Sequence, residues 1–310
     1  MSDIEPDKEP ELKLDEIYDS NGSSENIQMT VNEPHLTIDF PPLVSALKPP
    51  AKTQDAKKNR IPTLVFIVPY RDRKAHYNIF AENMKMFLRN APPYKIFYLH
   101  QTDTRSFNRG AMKNIGFLVV KKLYPDDYKN ITLVFNDIDT MPTKDAAIKY
   151  ETERGTIKHF YGFDYTLGGI VSINAGDFEL LNGFPNFWAW GFEDNMLQNR
   201  AKLLGIKIDR SVFYKIMDPK IIHLTDTFIR EVNRAEYDRF LENTMEGVNS
   251  INNLEYNIKF DTGFVDVTKF ETTAKEILEK RMDYDVRNGP APFKDHSAKK
   301  RSVPKMKMIF

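Results

Sequence analysis

The chain has 310 residues, 41% of them hydrophobic, which is enough for a sizeable core in one large domain or two small ones. Lysine plus arginine and aspartate plus glutamate each number 44, so the net charge gives no support for a nucleic-acid partner. The absence of cysteine excludes disulfides, thiolate metal sites and cysteine nucleophiles.

Both ends of the chain have the composition of solvated tails. Residues 1–20 carry eight acidic residues against two lysines, and such a segment has too little apolar surface to become ordered. We predict a disordered acidic tail over residues 1–57, a folded domain over 58–290 and a basic C-terminal tail over 291–310. No run of roughly 20 apolar residues is visible, so no transmembrane segment is expected.

Between the tails, short continuous apolar runs alternate with segments in which apolar residues recur at helical spacing. Short continuous apolar runs predict buried strands at 64–68, 96–99 and 133–135. Helical spacing of apolar residues predicts helices over 75–89 and 111–122. This alternation predicts an α/β fold, with a Rossmann-like mixed sheet flanked by helices.

Two arginines follow the first predicted strand. Arg71 and Arg73 stand directly after a buried run, where the next helix begins, and could contact a diphosphate there. From these residues alone, a turn with solvated arginines fits equally well.

An acid pair follows the third predicted strand. Alternate residues of an extended segment point the same way, so Asp137 and Asp139 are predicted to share one face with room for a hard cation. Acids are common in ordinary turns, which is the alternative. The apolar run before the pair and Pro142 after it favour metal binding.

The second half of the chain, from about residue 160, is rich in glycine and aromatic residues. A helix is predicted from near Glu193 to Gly205, and Glu193 and Asp194 at its start are candidates for a general base beside aromatic surface. Acids that complement the helix dipole are the alternative. His223 lies in a strand-like segment and is either a nitrogen ligand to the same cation or a core histidine.

Taken in order, these residues resemble glycosyltransferase family 7, the β-1,4-galactosyltransferases, over roughly residues 61 to 257. Asp137-Ile138-Asp139 is similar to the family's Asp-Val-Asp motif, in which the second acid ligates manganese. The other similar segments are the diphosphate-binding Pro69-Tyr70-Arg71-Asp72-Arg73, the nucleotide motif Phe107-Asn108-Arg109-Gly110-Ala111, the acceptor-side block 174–194 and the later segment 245–250.

The resemblance implies one GT-A type domain with Mn2+ as cofactor, a UDP-sugar donor, and a glycan or glycoconjugate acceptor. It implies Asp139 and His223 as metal ligands. On the acceptor side it implies that Asp194 is the base, Glu193 holds the acceptor, and Trp190 and Gly191 line the sugar. The implied donor-binding residues are Pro69, Tyr70, Arg71, Arg73, Phe107, Arg109, Asp137 and Ile138.

The sequence departs from the family at several positions. Phe192 replaces a glycine and Asn195 an acid, which predicts a reshaped acceptor pocket. Lys220 or Thr225 stands where the family has a further metal ligand. Thr166 stands where galactose-specific members have a tyrosine, and the smaller side chain makes room for an N-acetyl group.

We therefore expect an inverting transferase that moves a hexose, galactose first, and forms a β linkage. The alternatives are transfer of N-acetylgalactosamine or glucose, and a non-catalytic sugar-binding relative. Since neither cysteines nor an anchor is seen, we expect a cytoplasmic location, including that of a viral protein in a host cytoplasm. The acceptor and the oligomeric state stay open.

Overall fold

The computed structural model describes residues 61–224, 228–242, 245–279, 281–285 and 287. All of them belong to one unit, Ala56–Phe310. The tails predicted over 1–57 and 291–310 lie outside the described residues, as does Thr225. No described helix is both long and apolar enough to cross a membrane.

The described residues form helices and strands that alternate through the first half of the chain and become shorter and more irregular in the second. In chain order they are β1 (Leu64–Tyr70), α1 (Lys74–Phe87), β2 (Tyr94–Gln101), α2 (Arg109–Leu123), β3 (Thr132–Asn136), β4 (Thr140–Pro142), β5 (Thr156–Gly162), β6 (Ile170–Asn174), α3 (Ala175–Leu180), α4 (Glu193–Leu203), β7 (Lys207–Asp209), β8 (Tyr214–Lys215), β9 (Ile221–His223), β10 (Ile229–Asn233), α5 (Arg234–Glu242), β11 (Asn252–Lys259), β12 (Phe264–Glu271) and β13 (Arg281–Asp285).

Among the described residues, nine strands form one mixed sheet in the order β11-β12-β2-β1-β3-β6-β5-β7, with β8 paired to β5. Strands β12, β2, β1 and β3 run parallel, and β6 is antiparallel to both of its neighbours, β3 and β5. Two small sheets, β10 with β13 and β4 with β9, complete the pairing. The predicted α/β fold with a mixed sheet is confirmed.

Strand β1 is apolar throughout because both of its faces are covered. Leu64, Phe66 and Val68 pack with residues of α1 in one cluster of buried side chains. Val65 and Ile67 belong to a second cluster, which includes residues of α2. Helix α2 comes very close at Gly116, where an added Cβ would lie 2.5 Å from Ile67 Cγ2. The sheet thus lies between helices, as predicted.

Two details differ from the sequence prediction. Strand β1 continues through Pro69 to Tyr70, because β3 pairs with β1 only as far as Ile67 and no ladder bond on that side is lost at the proline. The hairpin of β11 and β12 was not predicted, because β11 has no fully buried residue and β12 buries only Val265, Val267 and Phe270. Helix α4 ends before Gly205, as predicted, and this glycine has φ of +67°.

Candidate active site

The candidate site lies where parallel strands end. The carboxyl ends of β1, β2 and β3 meet at one edge of the sheet, which is where open α/β sheets bind ligands. Arg71 follows β1, Arg109 opens the helix after β2, and Asp137 follows β3. The fold therefore brings three of the predicted site segments to one edge.

Arg109 is the central side chain of this edge. Its Nε and Nη2 donate to the Asp137 carboxylate at 2.8 to 3.0 Å, and its Nη1 donates to Asp194 Oδ2 at 2.9 Å and to Glu193 Oε1. Burial alone would lower the pKa of Arg109, but the three carboxylates outweigh it and raise that pKa well above its usual value. Arg109 therefore stays charged and links the end of β3 to the start of α4.

The position of Arg109 is fixed by the residue before it. Asn108 caps α2, since its side-chain oxygen accepts from the Ala111 backbone N–H at 2.9 Å. The Asn108 backbone N–H donates to Gln101 Oε1 at 2.8 Å, and its side-chain amide donates to the Asn186 carbonyl at 3.1 Å. The start of α2 is thereby tied to both the end of β2 and the acceptor-side block.

Glu193 and Asp194 begin helix α4, and their surroundings shift the two pKa values in opposite directions. Burial raises the pKa of Glu193, which is 1% exposed and whose Oε2 has no hydrogen-bond partner among the described residues. Burial also acts to raise the pKa of Asp194, but Arg109 and Lys113 outweigh it and lower that pKa. Adjacent carboxyls whose pKa values are pushed apart are suited to different roles.

The acid pair after β3 lies in a turn. The Thr140 N–H donates to the Asp137 carbonyl at 3.2 Å, and the Asn136 side-chain amide donates to the Asp137 and Thr140 carbonyls at 2.8 and 2.7 Å. The extended conformation predicted for this segment is therefore wrong, because Asn136 closes the turn. Asp137 pairs with Arg109, while Asp139 lies beside strand β9.

The two predicted metal ligands, Asp139 and His223, lie on neighbouring segments of the backbone. The Leu224 N–H donates to the Asp139 carbonyl at 2.8 Å, and Thr140 pairs with His223 across β4 and β9. His223 is exposed, which excludes the core alternative, and its Nδ1 shares a hydrogen bond of 2.9 Å with the Tyr161 hydroxyl, so Nε2 is available to a ligand.

The Asp139 carboxylate suits the same role. Within the described ranges no donor is hydrogen-bonded to it, and burial, then Asp137, raise its pKa against the opposing effects of His223 and Arg73. Within those ranges there is also no group of three or more acidic or histidine side chains that could hold a metal. The Lys220 ammonium lies 5.6 Å from the centre of the Tyr214 ring, and an ammonium group has no lone pair with which to ligate a metal.

The remaining predicted donor-binding residues lie around the end of β1. Arg71 donates to the carbonyls of Gln101, Asp103 and Arg105, and its guanidinium lies 5.6 Å from the Phe107 ring centre. Arg71 therefore holds the segment after β2 in place, and its contact with a diphosphate stays a prediction. The other four are Pro69, Tyr70 and Ile138, which are buried, and Arg73, which is half-buried.

The two tryptophans of the acceptor-side block have different surroundings. Trp188 is buried, and its Nε1 donates to the Ala274 carbonyl at 3.0 Å. Trp190 is half-buried, and its backbone N–H donates to the Glu231 carbonyl at 2.8 Å. Gly191, with φ of +106°, follows it. Trp190 is therefore the tryptophan that a ligand can reach.

Sequence reasoning missed two residues that contact Asp194. The Lys113 ammonium lies 2.9 Å from Asp194 Oδ1, and a Cβ added to Gly168 would lie 2.5 Å from Asp194 Oδ2. The signal for Lys113 was present, since it follows Arg109 by four residues on a helix face that is otherwise apolar. The contact of Gly168 depends on the tertiary fold and left no local signal.

Two models of protein families match this chain. The N-terminal region of glycosyl transferase group 7 matches residues 45–152, and the N-terminal domain of galactosyltransferase matches residues 153–224. Together the two matches cover more than half of the chain. The chain belongs to glycosyltransferase family 7.

Individual members of family 7 have moderate sequence identity to this chain. Human beta-1,4-galactosyltransferase 5 is 27% identical over 217 residues, which are 66% of this chain and 55% of that protein. The xylosylprotein 4-beta-galactosyltransferase of Caenorhabditis elegans is 31% identical over 177 residues, 51% of this chain and 59% of that protein. The chain thus spans about half the length of the curated relatives it matches.

Solved structures show the same fold. A mutant beta-1,4-galactosyltransferase 7 from Drosophila, in complex with manganese, UDP-Gal and xylobiose, matches with a TM-score of 0.53 and 20% identity, covering 69% of this chain and 95% of that one. The complex of the same enzyme's catalytic domain with xylobiose matches with a TM-score of 0.52. The predicted GT-A type fold is confirmed by this likeness.

Proposed function

We propose that this family 7 chain is a metal-dependent inverting glycosyltransferase that moves galactose from UDP-galactose to a hydroxyl group of a glycan or glycoconjugate. The observation that carries the proposal is the position of Arg109 between the acid after β3 and the two acids that open α4. A donor at the strand ends and an acceptor at α4 are then within reach of one guanidinium. Membership of a family of galactosyltransferases supports the choice of reaction.

The proposed reaction is a single displacement. The acceptor hydroxyl oxygen forms a bond to the anomeric carbon, the bond from that carbon to the diphosphate oxygen breaks, and the bonding electron pair leaves with UDP. The hydroxyl proton passes to the Asp194 carboxylate, which is kept ionised by its two cations. Attack on the face opposite the leaving group turns an α-linked donor into a β-linked product.

Asp139 and His223 would hold the cation, and Mn2+ is the ion we propose, because the Drosophila relative binds manganese together with UDP-Gal. When bound, it supplies positive charge to the departing diphosphate. Tyr161 orients the His223 ring for that role through its hydroxyl. Asp137 keeps Arg109 in place at the donor side.

The proposal is tested by incubating the full chain with UDP-galactose, UDP-N-acetylgalactosamine or UDP-glucose and a panel of glycan acceptors, with Mn2+ present or chelated. We expect UDP release and a β-linked product with UDP-galactose, and loss of both on chelation. A larger rate with UDP-N-acetylgalactosamine would correct the sugar and implicate Thr166. Metal-dependent donor binding without turnover on any acceptor would instead indicate a sugar-binding relative.

A further inference from the structure

Lys113 in helix α2 is a buried cation. Its side chain is 2% exposed, and lysine is almost never so buried unless it is paired. The ammonium lies 2.9 Å from Asp194 Oδ1 and 4.3 Å from the centre of the Phe184 ring. The partner that permits its burial is therefore the residue proposed above as the base.

Lys113 and Arg109 bind different oxygens of Asp194. They are four residues apart and so lie on the same face of α2. Arg109 donates to Asp194 Oδ2 at 2.9 Å, and Lys113 donates to Oδ1 at the same distance. Arg109 is shared with Asp137 and Glu193, whereas every ion pair that Lys113 makes among the described residues is with Asp194.

We propose that Lys113 is a positioning residue for the base: it stays paired with Asp194 Oδ1 throughout the reaction, while Arg109 releases Oδ2 to the acceptor hydroxyl. The inference rests on the proposed function, in which Asp194 accepts the proton. Lys113 is suited to the permanent role because its side chain is buried and its ammonium lies beside the Phe184 ring, whereas Arg109 is 17% exposed and pairs with Asp137 on the donor side.

In this arrangement the acceptor hydroxyl transfers its proton to Asp194. The acceptor O–H bond breaks as its oxygen bonds to the anomeric carbon, and a new bond forms between the proton and Asp194 Oδ2. Asp194 is then a neutral acid whose Oδ1 still accepts from the Lys113 ammonium. The proton leaves to solvent at the exposed edge of Asp194, whose side chain is 16% exposed.

The charges around Asp194 indicate what removal of Lys113 does. Arg109 and Lys113 face the carboxylate from α2, Glu193 adjoins it on α4, and His159 of β5 is close enough for its pKa to respond to the charge of Asp194. Burial acts to raise the pKa of Asp194, and the two cations together lower it. Without Lys113 only Arg109 opposes burial, so the pKa of Asp194 must rise.

The test compares the pH profiles of transfer by the full-length wild type and Lys113→Met. Methionine is unbranched, uncharged and similar in size, so it can fill the buried space. We expect the acid limb of kcat/KM to move upward by about one pH unit, with activity recovering at higher pH. Lys122→Met makes the same change at an exposed position of the same helix and should leave the profile in place.

A second readout does not depend on turnover. The carboxyl carbon of Asp194, assigned by the loss of its 13C NMR signal in Asp194→Asn, should titrate at higher pH in Lys113→Met than in wild type. Lys113→Gln provides the same neutralisation if the methionine variant does not fold. An unchanged Asp194 titration together with an unmoved acid limb would overturn the positioning role and leave Lys113 a packing residue.

The two proposals fail in different ways. Absence of transfer by the wild-type chain with every donor would overturn the proposed function, and with it the catalytic part of this inference, even if the NMR titration moves. Normal transfer with an unmoved titration in Lys113→Met overturns the inference alone.

Discussion

Phe192 shows at the level of one residue how this chain departs from the family pattern. Its φ of +71° lies in the left-handed region, where glycine is favoured and other residues are strained by roughly 1 to 2 kcal/mol. The resemblance places a glycine at this position. Here the ring packs edge-on against Tyr237, with 4.8 Å between ring centres, and this contact offsets the strain directly before Glu193.

Replacement of Phe192 by glycine and by alanine separates the strain from the packing. Both variants lose the contact with Tyr237, but only alanine keeps the strained backbone, so we expect Phe192→Gly to be more stable by about 1 kcal/mol. Urea denaturation measures the difference. Lys202 is an exposed helical position of α4, and there we expect the opposite order, with Lys202→Ala more stable than Lys202→Gly. The same order at both positions would contradict the explanation.

At the scale of elements, the segment between β5 and β6 is held by a buried histidine. His159 Nε2 lies 3.0 Å from the carbonyls of Tyr161 and Gly168, and its Nδ1 accepts from Arg210 Nε at 3.0 Å. These contacts require the neutral ring with its proton on Nε2. Because the Leu167 N–H donates to the Asp194 carbonyl at 3.2 Å, His159 also supports the wall beside the proposed base.

The stability of the fold should depend on pH through His159. Burial, and then repulsion by Arg210, lowers the pKa of His159 to about 4, whereas the unfolded chain has a pKa near 6.5. The native state is thus favoured above pH 6.5, and its free energy of unfolding falls by up to roughly 3 kcal/mol as pH drops from 6.5 to 4. His159→Gln cannot titrate, and its free energy of unfolding should fall less between pH 7 and 5. An equally steep fall would contradict this.

The order of elements and much of the site follow from local pattern, and the rest depends on tertiary contacts. The buried strands were predictable because both faces of β1 are covered, which gives an unbroken apolar run. The turn at Asp137 was not, because it is closed by the Asn136 side chain. The hairpin of β11 and β12 left only a weak signal, because β11 has no fully buried residue and β12 has three. Gly168 matters only because the fold brings Asp194 against it.

At the scale of the whole molecule, the sheet brings together residues that are far apart in sequence. Arg109, after β2, meets Asp137 after β3 and Asp194 at the start of α4. An acid on the donor side and one on the acceptor side are therefore both paired with Arg109. We expect binding of the diphosphate at Arg109 to release an oxygen of Asp194. The predicted domain boundaries and the cytoplasmic location stay predictions.

Asp194 is proposed to accept the proton of the acceptor hydroxyl, and the variant Asp194→Asn tests this role directly. The measurement is the rate of transfer from UDP-galactose in the presence of Mn2+, beside the affinity for the donor measured by calorimetry. We expect kcat to fall about 10²- to 10⁴-fold with donor affinity nearly unchanged, because the amide keeps the shape of the carboxylate but cannot take a proton. Asp126→Asn, at an exposed position, should match wild type. Transfer by Asp194→Asn at close to the wild-type rate would show that Asp194 is not the base.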